Sequence, residues 1–199
     1  MSYAIIGFGS IGQALAKAFA RSGIEVSVAT TRDPESFASE AAAIGPGIIP
    51  KTLAEAVKAD TIFLAVRFEA HPDVAKALPS WKGKTIVDAM NALVPLEEMD
   101  GLLSSAFAAK AFTDAKLVKG FNHLIATTLA ADPVVEGGHR VVFLASDDED
   151  AIAPVADLAK QLGFAPVVLG KLNEGGALVH ARGQIWGRLI FQDLFKKEP

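Results

Sequence analysis

The chain has 199 residues, 51% hydrophobic and 21% charged, which suffices for one well-packed domain with a sizeable core. A net charge of −4 without a long basic block argues against a general nucleic-acid-binding surface. Because cysteine is absent and no apolar run is long enough to cross a membrane, we expect no disulfides, no membrane partner and a cytoplasmic location.

Short apolar runs alternate with helical patterns along the chain. The first run, Tyr3–Ile6, precedes a glycine turn and a helix over residues 11–21, whose apolar residues recur with a period of about 3.6 residues. A second strand over residues 24–30 precedes Asp33 and Pro34, a pair typical of a helix start. Further strands, with helical patterns between them, are predicted at residues 47–52, 60–66, 84–90, 116–121, 140–147 and 164–170.

This alternation predicts an α/β fold: a Rossmann-type, doubly wound, mostly parallel sheet of about eight strands. The last segment, residues 176–197, is predicted as one long helix, with Arg182 on its apolar face and His180 on the opposite face. The sequence assigns no role to either side chain. We expect one domain over residues 1–199 with a helical extension over residues 173–199, and a homodimer formed through that helix.

A glycine-rich turn follows the first strand and opens the first helix. The pattern G-x-G-x-x-G is formed by Gly7, Phe8, Gly9, Ser10, Ile11 and Gly12. In this context the first glycine permits the tight turn, the second lets a pyrophosphate approach the backbone, and the third lets the helix pack on the strand. Free N–H groups at the helix start face the phosphates. We therefore predict that this turn binds a dinucleotide.

The end of the second strand lacks the carboxylate that favours NAD by binding the adenosine ribose hydroxyls. Thr30, Thr31 and Arg32 occupy that position. The first acid is Asp33, which is better used at the helix start because Pro34 follows it. Two hydroxyl groups and a guanidinium suit a 2′-phosphate, since arginine offers paired donors and a permanent charge. The sequence therefore predicts NADP(H) rather than NAD(H), the alternative being an exposed Arg32 in a solvated loop.

Three more predicted strands end in polar residues, and ligands of such sheets bind at the carboxyl ends of the strands. Asn91 and Asn122 could each offer hydrogen bonds to a carboxamide or a ribose, or could simply cap turns. Arg67 could meet a phosphate or an anionic substrate, or could face solvent. The candidate cofactor-binding residues at these strand ends are Ala65, Val66, Arg67, Asn91, Ala92 and Asn122.

Histidine is the remaining candidate for acid–base chemistry. The four histidines show no metal-ligand spacing, and without cysteine no metal site is expected. His123 follows a predicted strand at the binding crevice. It could donate a proton or a hydrogen bond, or could serve in capping or packing. No residue is therefore assigned as catalytic, and His123 is a candidate modulator.

Five segments carry a family resemblance, namely IIGFGSIGQALA, TTRDPES, TIFLAVRFEAH, KTIVDAMNALVP and KLVKGFNHLIATTLAADP. On these segments the chain resembles the NADP oxidoreductases that depend on coenzyme F420, a deazaflavin. It is similar also to the cytosolic NADPH domain of six-transmembrane metalloreductases. The resemblance covers most of residues 3–133. It implies that the glycine turn holds the pyrophosphate and that Thr30, Thr31 and Arg32 hold the 2′-phosphate. Ala92 and His123 stand where that family usually has Pro and Thr.

The resemblance implies direct hydride transfer between the nicotinamide and a small-molecule redox co-substrate, which is coenzyme F420 or a flavin such as FMN or FAD. In such a transfer the protein supplies proximity and orientation while the cofactor carries the chemistry. Two alternatives stay open. One is an NADPH-dependent reductase of a small carbonyl or imine substrate whose site is completed by dimerisation. The other is a non-enzymatic NADP(H)-binding sensor.

Overall fold

The computed structural model describes residues 1–181 and 187–197. The strands are β1 (Tyr3–Ile6), β2 (Val26–Ala29), β3 (Ile48–Pro50), β4 (Thr61–Leu64), β5 (Thr85–Asp88), β6 (Lys116–Gly120), β7 (Val134–Val135), β8 (Gly138–Ala145), β9 (Ala165–Val168) and β10 (Phe195–Lys197). The α-helices are α1 (Ser10–Arg21), α2 (Ala38–Ile44), α3 (Leu53–Ala56), α4 (His71–Ala75), α5 (Ser104–Ala109), α6 (Ala126–Ala130) and α7 (Glu149–Gln161). Short 3-10 helices lie at Pro34–Phe37, Phe68–Ala70, Leu96–Met99 and Gly175–Val179. No helix within the two described ranges has the length and apolar character needed to cross a bilayer.

The strands form one sheet in the order β10-β8-β6-β5-β4-β1-β2-β3, and β7 and β9 also pair with β8. β1 lies between β2 and β4 in parallel, and the parallel pairing continues through β5 to β6. β8 runs antiparallel to β6 and parallel to β9. The predicted Rossmann-type, mostly parallel α/β sheet is therefore confirmed.

Helices cover both faces of this sheet, which explains why its strands are apolar without alternation. On one face, Phe19 of α1 packs edge-on against Phe63 at a centroid distance of 5.6 Å, and Phe63 packs against Phe121 at 5.5 Å. On the other face, Trp81 and Phe112 pack at 5.0 Å. These five aromatic side chains are buried and anchor two apolar layers, one on each side of the sheet.

The register of the parallel strands brings their ends into one row. Ile6 of β1 lies beside Ala29 of β2 and Leu64 of β4. Leu64 lies beside Asp88 of β5, and Asp88 lies beside Lys119 of β6. The glycine turn and the segments after β2, β4, β5 and β6 therefore lie at one edge of the sheet, where the sequence predicts the ligand.

The prediction of one long helix over residues 176–197 is wrong. Gly175–Val179 form a 3-10 helix, and Phe195–Lys197 form β10, which pairs antiparallel with β8. The predicted homodimer therefore loses the helix that was to form its interface. Arg182, placed on that helix by the sequence, belongs to residues 182–186, which lie outside the described residues.

Described residues on either side of residues 182–186 are hydrogen-bonded to each other where the helix was predicted. The Leu189 N–H donates to Leu178 O at 2.9 Å, and the Gly187 N–H donates to His180 O at 3.0 Å. A Cβ at Gly187 would lie 2.5 Å from Leu178 O, so this close approach requires glycine. Glycine also disfavours the helix interior, by about 1 kcal/mol relative to alanine. Local propensity and tertiary contacts both act against the helix here.

Candidate functional site

Close backbone contacts leave no room for a side chain at two of the three glycines in the turn. Gly7 has a φ of 102°, and a Cβ on it would lie 2.4 Å from Ala65 O. A Cβ on Gly12 would lie 2.0 Å from Gly7 O, so only glycine lets α1 begin this close to β1. At Gly9, by contrast, no described atom lies within 4 Å of the position a Cβ would take. Gly9 thus faces open space, which a pyrophosphate would need in order to approach the backbone.

Helix α1 begins at this open glycine, because Gly9 is its N-cap. No side chain caps the helix, and its first turn carries no acidic residue. The first N–H groups of a helix have no intrahelical partners, and the helix dipole favours an anion there. Ser10 is exposed, whereas Phe8 is buried against Phe37 at a centroid distance of 5.6 Å and supports the turn from the interior. The open space at Gly9 and the free N–H groups at the start of α1 together suit the pyrophosphate of a dinucleotide.

The segment after β2 places Arg32 at the surface in a defined orientation. Its backbone N–H donates to Thr30 Oγ1 at 2.8 Å. Its guanidinium donates to both carboxylate oxygens of Glu40, at 3.0 and 3.4 Å, and lies 5.3 Å from the centroid of the Phe37 ring. The hydrogen bond from Arg32 lowers the pKa of Glu40 below its usual value, so this carboxylate is ionised at neutral pH. Thr31 is exposed beside this pair.

The predicted helix start after Arg32 is confirmed. Asp33 is the N-cap of the 3-10 helix Pro34–Phe37, and Pro34 is at its first position. The Asp33 side chain makes no capping hydrogen bond. Its backbone carbonyl instead accepts from Ser36 Oγ at 2.7 Å. Asp33 therefore occupies the predicted helix start, and it contributes there through its backbone rather than through its side chain.

Asn91 and Asn122 form a direct pair between the ends of β5 and β6. Asn122 Nδ2 donates to Asn91 Oδ1 at 2.9 Å, and Asn91 Nδ2 donates to the backbone O of Asn122 at 2.9 Å. Asn122 Nδ2 also donates to Val179 O at 2.6 Å, which ties the pair to the C-terminal segment. Asn122 Oδ1 is buried and has no partner among the described residues. One side-chain acceptor of the pair, Asn122 Oδ1, therefore accepts no hydrogen bond from the described residues.

His123 is enclosed next to this pair. Its ring is fully buried and packs edge-on against Phe143 at a centroid distance of 4.7 Å. Within residues 1–181 and 187–197 neither ring nitrogen makes a hydrogen bond of standard geometry, although the backbone carbonyl of Val141 lies close enough to interact with the ring. Burial lowers the pKa of His123 to about 4, so the ring is neutral at pH 7. The preceding Phe121 has a φ of 61°, a conformation that few residues other than glycine adopt. Phe121 thus lies in a strained conformation between the end of β6 and Asn122. Strained residues of this kind are common at functional sites.

A fully buried polar network lies at the turn that carries Asn91. Asp88 Oδ1 accepts from the Met90 N–H at 2.9 Å, and Asp88 Oδ2 accepts from Ser105 Oγ at 2.6 Å and from Lys119 Nζ at 3.3 Å. Lys119 Nζ also donates to Met90 O at 2.5 Å. Both backbone polar groups of Met90 are therefore held by buried charged side chains. These contacts fix the turn that precedes Asn91.

His180 joins this network from the C-terminal segment. Its Nε2 lies 3.2 Å from Ser105 Oγ, and its Nδ1 lies 2.8 Å from Gly176 O. Because a carbonyl only accepts, the proton of the neutral ring is on Nδ1. Since Ser105 donates its single proton to Asp88, Nε2 contacts Ser105 Oγ without a hydrogen bond. Burial, and then the charge of Lys119, lower the pKa of His180 to about 4. Burial likewise lowers the pKa of Lys119, and the nearby Asp88 carboxylate opposes that shift.

One predicted site residue, Arg67, lies apart from the other predicted site residues. The Arg67 side chain is 92% exposed, and its Nε lies 3.8 Å from Glu69 Oε2. Ala92 is buried, and Ala65 and Val66 are half-buried where β4 meets the glycine turn. The structure brings together the glycine turn with the end of β4, and Asn91 with Asn122, while Arg67 points into solvent.

Sequence reasoning missed Asp88, Lys119, Ser105 and Glu40. A signal existed for the first two, because each is a charged residue inside an apolar strand pattern. Fully buried charges are rare unless they are paired, so two of them in adjacent strands predict an ion pair. Ser105 and Glu40 have no comparable signal, since each lies on a helix at a position that suits solvent or packing equally well.

Other candidate sites lie elsewhere on the molecule. A cavity of about 520 Å³ is lined by residues at the start of β6 and the start of α7, away from the glycine turn. Lys116 forms ion pairs there with Asp148 at 3.5 Å and with Asp150 at 3.7 Å. Within the described part of the chain, no group of three or more histidine or acidic side chains is arranged to hold a metal ion.

Residues 2–92 match the model of a protein family described as NADP oxidoreductase, coenzyme F420-dependent. Over 171 residues the chain is 30% identical to metalloreductase STEAP2 of Mus musculus, an alignment that covers 85% of this chain and 33% of that protein. The chain thus spans about a third of the length of the curated relatives it matches.

Solved structures share the fold over nearly the whole chain. A protein of Sinorhizobium meliloti described as hypothetical is 36% identical, with a TM-score of 0.91 and coverage of 99% of this chain and 96% of that one. A protein of Arthrobacter sp. FB24, provisionally assigned as an F420-dependent NADP reductase, is 26% identical, with a TM-score of 0.69 and coverage of 87% and 86%.

Proposed function

We propose that the chain transfers a hydride between NADP(H) and a deazaflavin or flavin-type acceptor, because residues 2–92 match the model of the coenzyme F420-dependent NADP oxidoreductase family. The observation that carries this proposal is the glycine turn, in which two glycines are enforced by backbone contacts and the third, Gly9, faces open space. A turn of this shape at the start of a helix suits a dinucleotide pyrophosphate.

The cofactor would lie along the carboxyl edge of the sheet. The backbone of the glycine turn would bind the pyrophosphate, and Thr30, Thr31 and Arg32 would bind the 2′-phosphate. The nicotinamide half would then lie over the ends of β4, β5 and β6, near the Asn91–Asn122 pair. Bound NADPH would supply the hydride, and these residues would hold the two reacting rings in place while excluding water.

The electrostatics of this edge favour an acceptor that needs no proton from a side chain during hydride transfer. His123 is neutral and enclosed, and the Lys119 ammonium is held by Asp88 and Met90 O. Reduction of a carbonyl or imine requires a proton at the reacting heteroatom, which a positioned acid would normally deliver. A flavin-type ring delocalises the added electron pair, so hydride transfer can yield an anionic reduced ring without a proton. This difference supports the deazaflavin or flavin acceptor.

The Gly9→Ala variant tests the cofactor site. Because the Cβ at this position meets no described atom, we expect the variant to fold with wild-type stability. The new methyl group would occupy the space of the pyrophosphate, so NADPH affinity should fall by at least tenfold in a fluorescence titration. Gly47→Ala, whose Cβ would lie an ordinary 3.5 Å from Glu25 Cα, is the matched control and should bind NADPH as the wild type does. Unchanged NADPH affinity in Gly9→Ala would contradict this placement of the cofactor.

A panel of acceptors tests the reaction. NADPH oxidation is followed anaerobically with coenzyme F420, FMN, FAD, and a small ketone and imine, one at a time. We expect oxidation with one or more of the three ring acceptors and none with the ketone or imine. Oxidation with the ketone or imine alone would instead support a carbonyl or imine reductase. Tight NADPH binding without oxidation by any acceptor would support a sensor.

We also propose that the protein is a cytoplasmic homodimer. Support for association comes from three exposed apolar side chains in the C-terminal segment, Phe191, Leu194 and Phe195, which are 56%, 41% and 41% exposed. Light scattering should give twice the 20.8 kDa mass of one chain. A mass equal to one chain at micromolar concentration would contradict the dimer.

A further inference from the structure

The Arg32 guanidinium, which we assign to the 2′-phosphate of the cofactor, is bound to the carboxylate of Glu40. Glu40, in the first turn of α2, accepts from Arg32 Nη1 at 3.0 Å and from Nη2 at 3.4 Å. This bidentate arrangement is the geometry that arginine also uses for phosphate. The sequence has no carboxylate at the end of β2, but the fold brings one to Arg32 from α2, eight residues further along the chain.

The ion pair is placed where a ligand can reach it. Both side chains are 45% exposed, and the guanidinium is stacked on the buried Phe37 ring at 5.3 Å. The backbone of Arg32 is held separately by Thr30 Oγ1. Neither the stacking nor the backbone hydrogen bond depends on Glu40. The arginine can therefore exchange one anionic partner for another without losing its position.

We propose that Glu40 is a specificity-determining residue that competes with the 2′-phosphate of NADP(H) for Arg32. This inference rests on the proposed function, because it takes Arg32 as the phosphate-binding residue. While Glu40 is ionised, it neutralises Arg32, so NADH binds without leaving an uncompensated cation. NADPH must displace or share the guanidinium, and its phosphate meets a nearby carboxylate of like charge. Glu40 thus limits the preference for NADPH over NADH.

The Glu40→Gln variant tests this competition. Glutamine keeps the size of the side chain and an acceptor oxygen for Arg32, and it removes only the charge. A like charge about 4 Å away costs on the order of 1 kcal/mol in water, which corresponds to about a fivefold change in affinity. We expect the ratio of NADH to NADPH dissociation constants to rise about threefold to tenfold, through tighter NADPH binding with NADH unchanged. Added salt should reduce the difference between variant and wild type, because the competing charges are exposed.

Glu35→Gln is the matched control. Glu35 is an exposed acid three positions after Arg32, in the first turn of the 3-10 helix, and it makes no described contact with the guanidinium. Its loss of charge should change the ratio by less than about twofold, because screening weakens the effect of exposed charges that are not in contact. An equal effect of both variants would overturn the inference, since any negative charge nearby would then suffice.

The remaining outcomes separate this inference from the proposed function. If Arg32→Ala abolishes the preference for NADPH while Glu40→Gln leaves the ratio at its wild-type value, competition by Glu40 is overturned and the phosphate site stands. Weaker NADPH binding in Glu40→Gln would also overturn it, because Glu40 would then orient Arg32 for the phosphate. If Arg32→Ala leaves the preference intact, the assignment of the phosphate site itself fails.

Discussion

Lys119→Met removes the ion-pair partner of a fully buried carboxylate. Asp88 and Lys119 are each 0% exposed, and Lys119 Nζ lies 3.3 Å from Asp88 Oδ2. Removing one member of a buried pair leaves an uncompensated charge and costs about 3–5 kcal/mol. Ser105 and the Met90 N–H still donate to Asp88 in the variant and limit this cost. We expect the free energy of unfolding to fall by about 3–5 kcal/mol, a large share of the ~5–15 kcal/mol typical of a domain.

Urea unfolding followed by circular dichroism measures this change, and a double variant isolates its cause. Asp88→Asn combined with Lys119→Met removes both charges while keeping similar volumes and the acceptor for the Met90 N–H. Neutral replacements of a buried pair are often tolerated, so the double variant should be more stable than Lys119→Met alone. A loss below about 1 kcal/mol in Lys119→Met would refute the reasoning, and so would a double variant as unstable as the single one.

Three further predictions concern pH, the glycine turn and the cofactor phosphate. His123 and His180 have a pKa of about 4 in the folded protein, against about 6.5 unfolded, so the unfolded state binds more protons between these values and stability falls as pH drops through this window. Urea midpoints at pH 7 and pH 5 should show this loss, and equal midpoints would argue against neutral buried rings. Gly12→Ala places a Cβ 2.0 Å from backbone, so its melting temperature should fall while that of Gly9→Ala does not. Arg32→Ala should weaken NADPH by about 1–3 kcal/mol in a titration and leave NADH nearly unchanged, whereas equal weakening of both would contradict a phosphate-specific contact.

The sequence predicts the sheet well because its signals are local and repeated. Apolar strands alternate with helical patterns, and the glycine turn marks the start of the first β-α unit. The N-cap position of Asp33 and the first-turn position of Pro34 also follow from residue type alone. The C-terminal segment could not be predicted in this way, because the close approach of Gly187 to Leu178 O is a tertiary contact.

The candidate site is predictable only where backbone geometry dictates residue type. Glycines are required at positions 7 and 12 by close contacts, and the sequence pattern carries that requirement. The sequence marks Asp88 and Lys119 as two charges in apolar strands, but their contact, like that of Arg32 with Glu40, depends on which side chains meet in the fold. Such contacts are set by register and packing, which a single sequence does not contain.

Transfer of deuterium from NADPH tests the central claim most directly. NADPH deuterated at C4 of the nicotinamide, in each of its two stereoisomers, is mixed anaerobically with the protein and oxidised coenzyme F420, and the reduced deazaflavin is examined by mass spectrometry. The proposed function predicts that one stereoisomer delivers its deuterium to carbon 5 of the deazaflavin without exchange with water. Reduced deazaflavin without deuterium from either stereoisomer would contradict direct hydride transfer, and absence of reduction would contradict this acceptor.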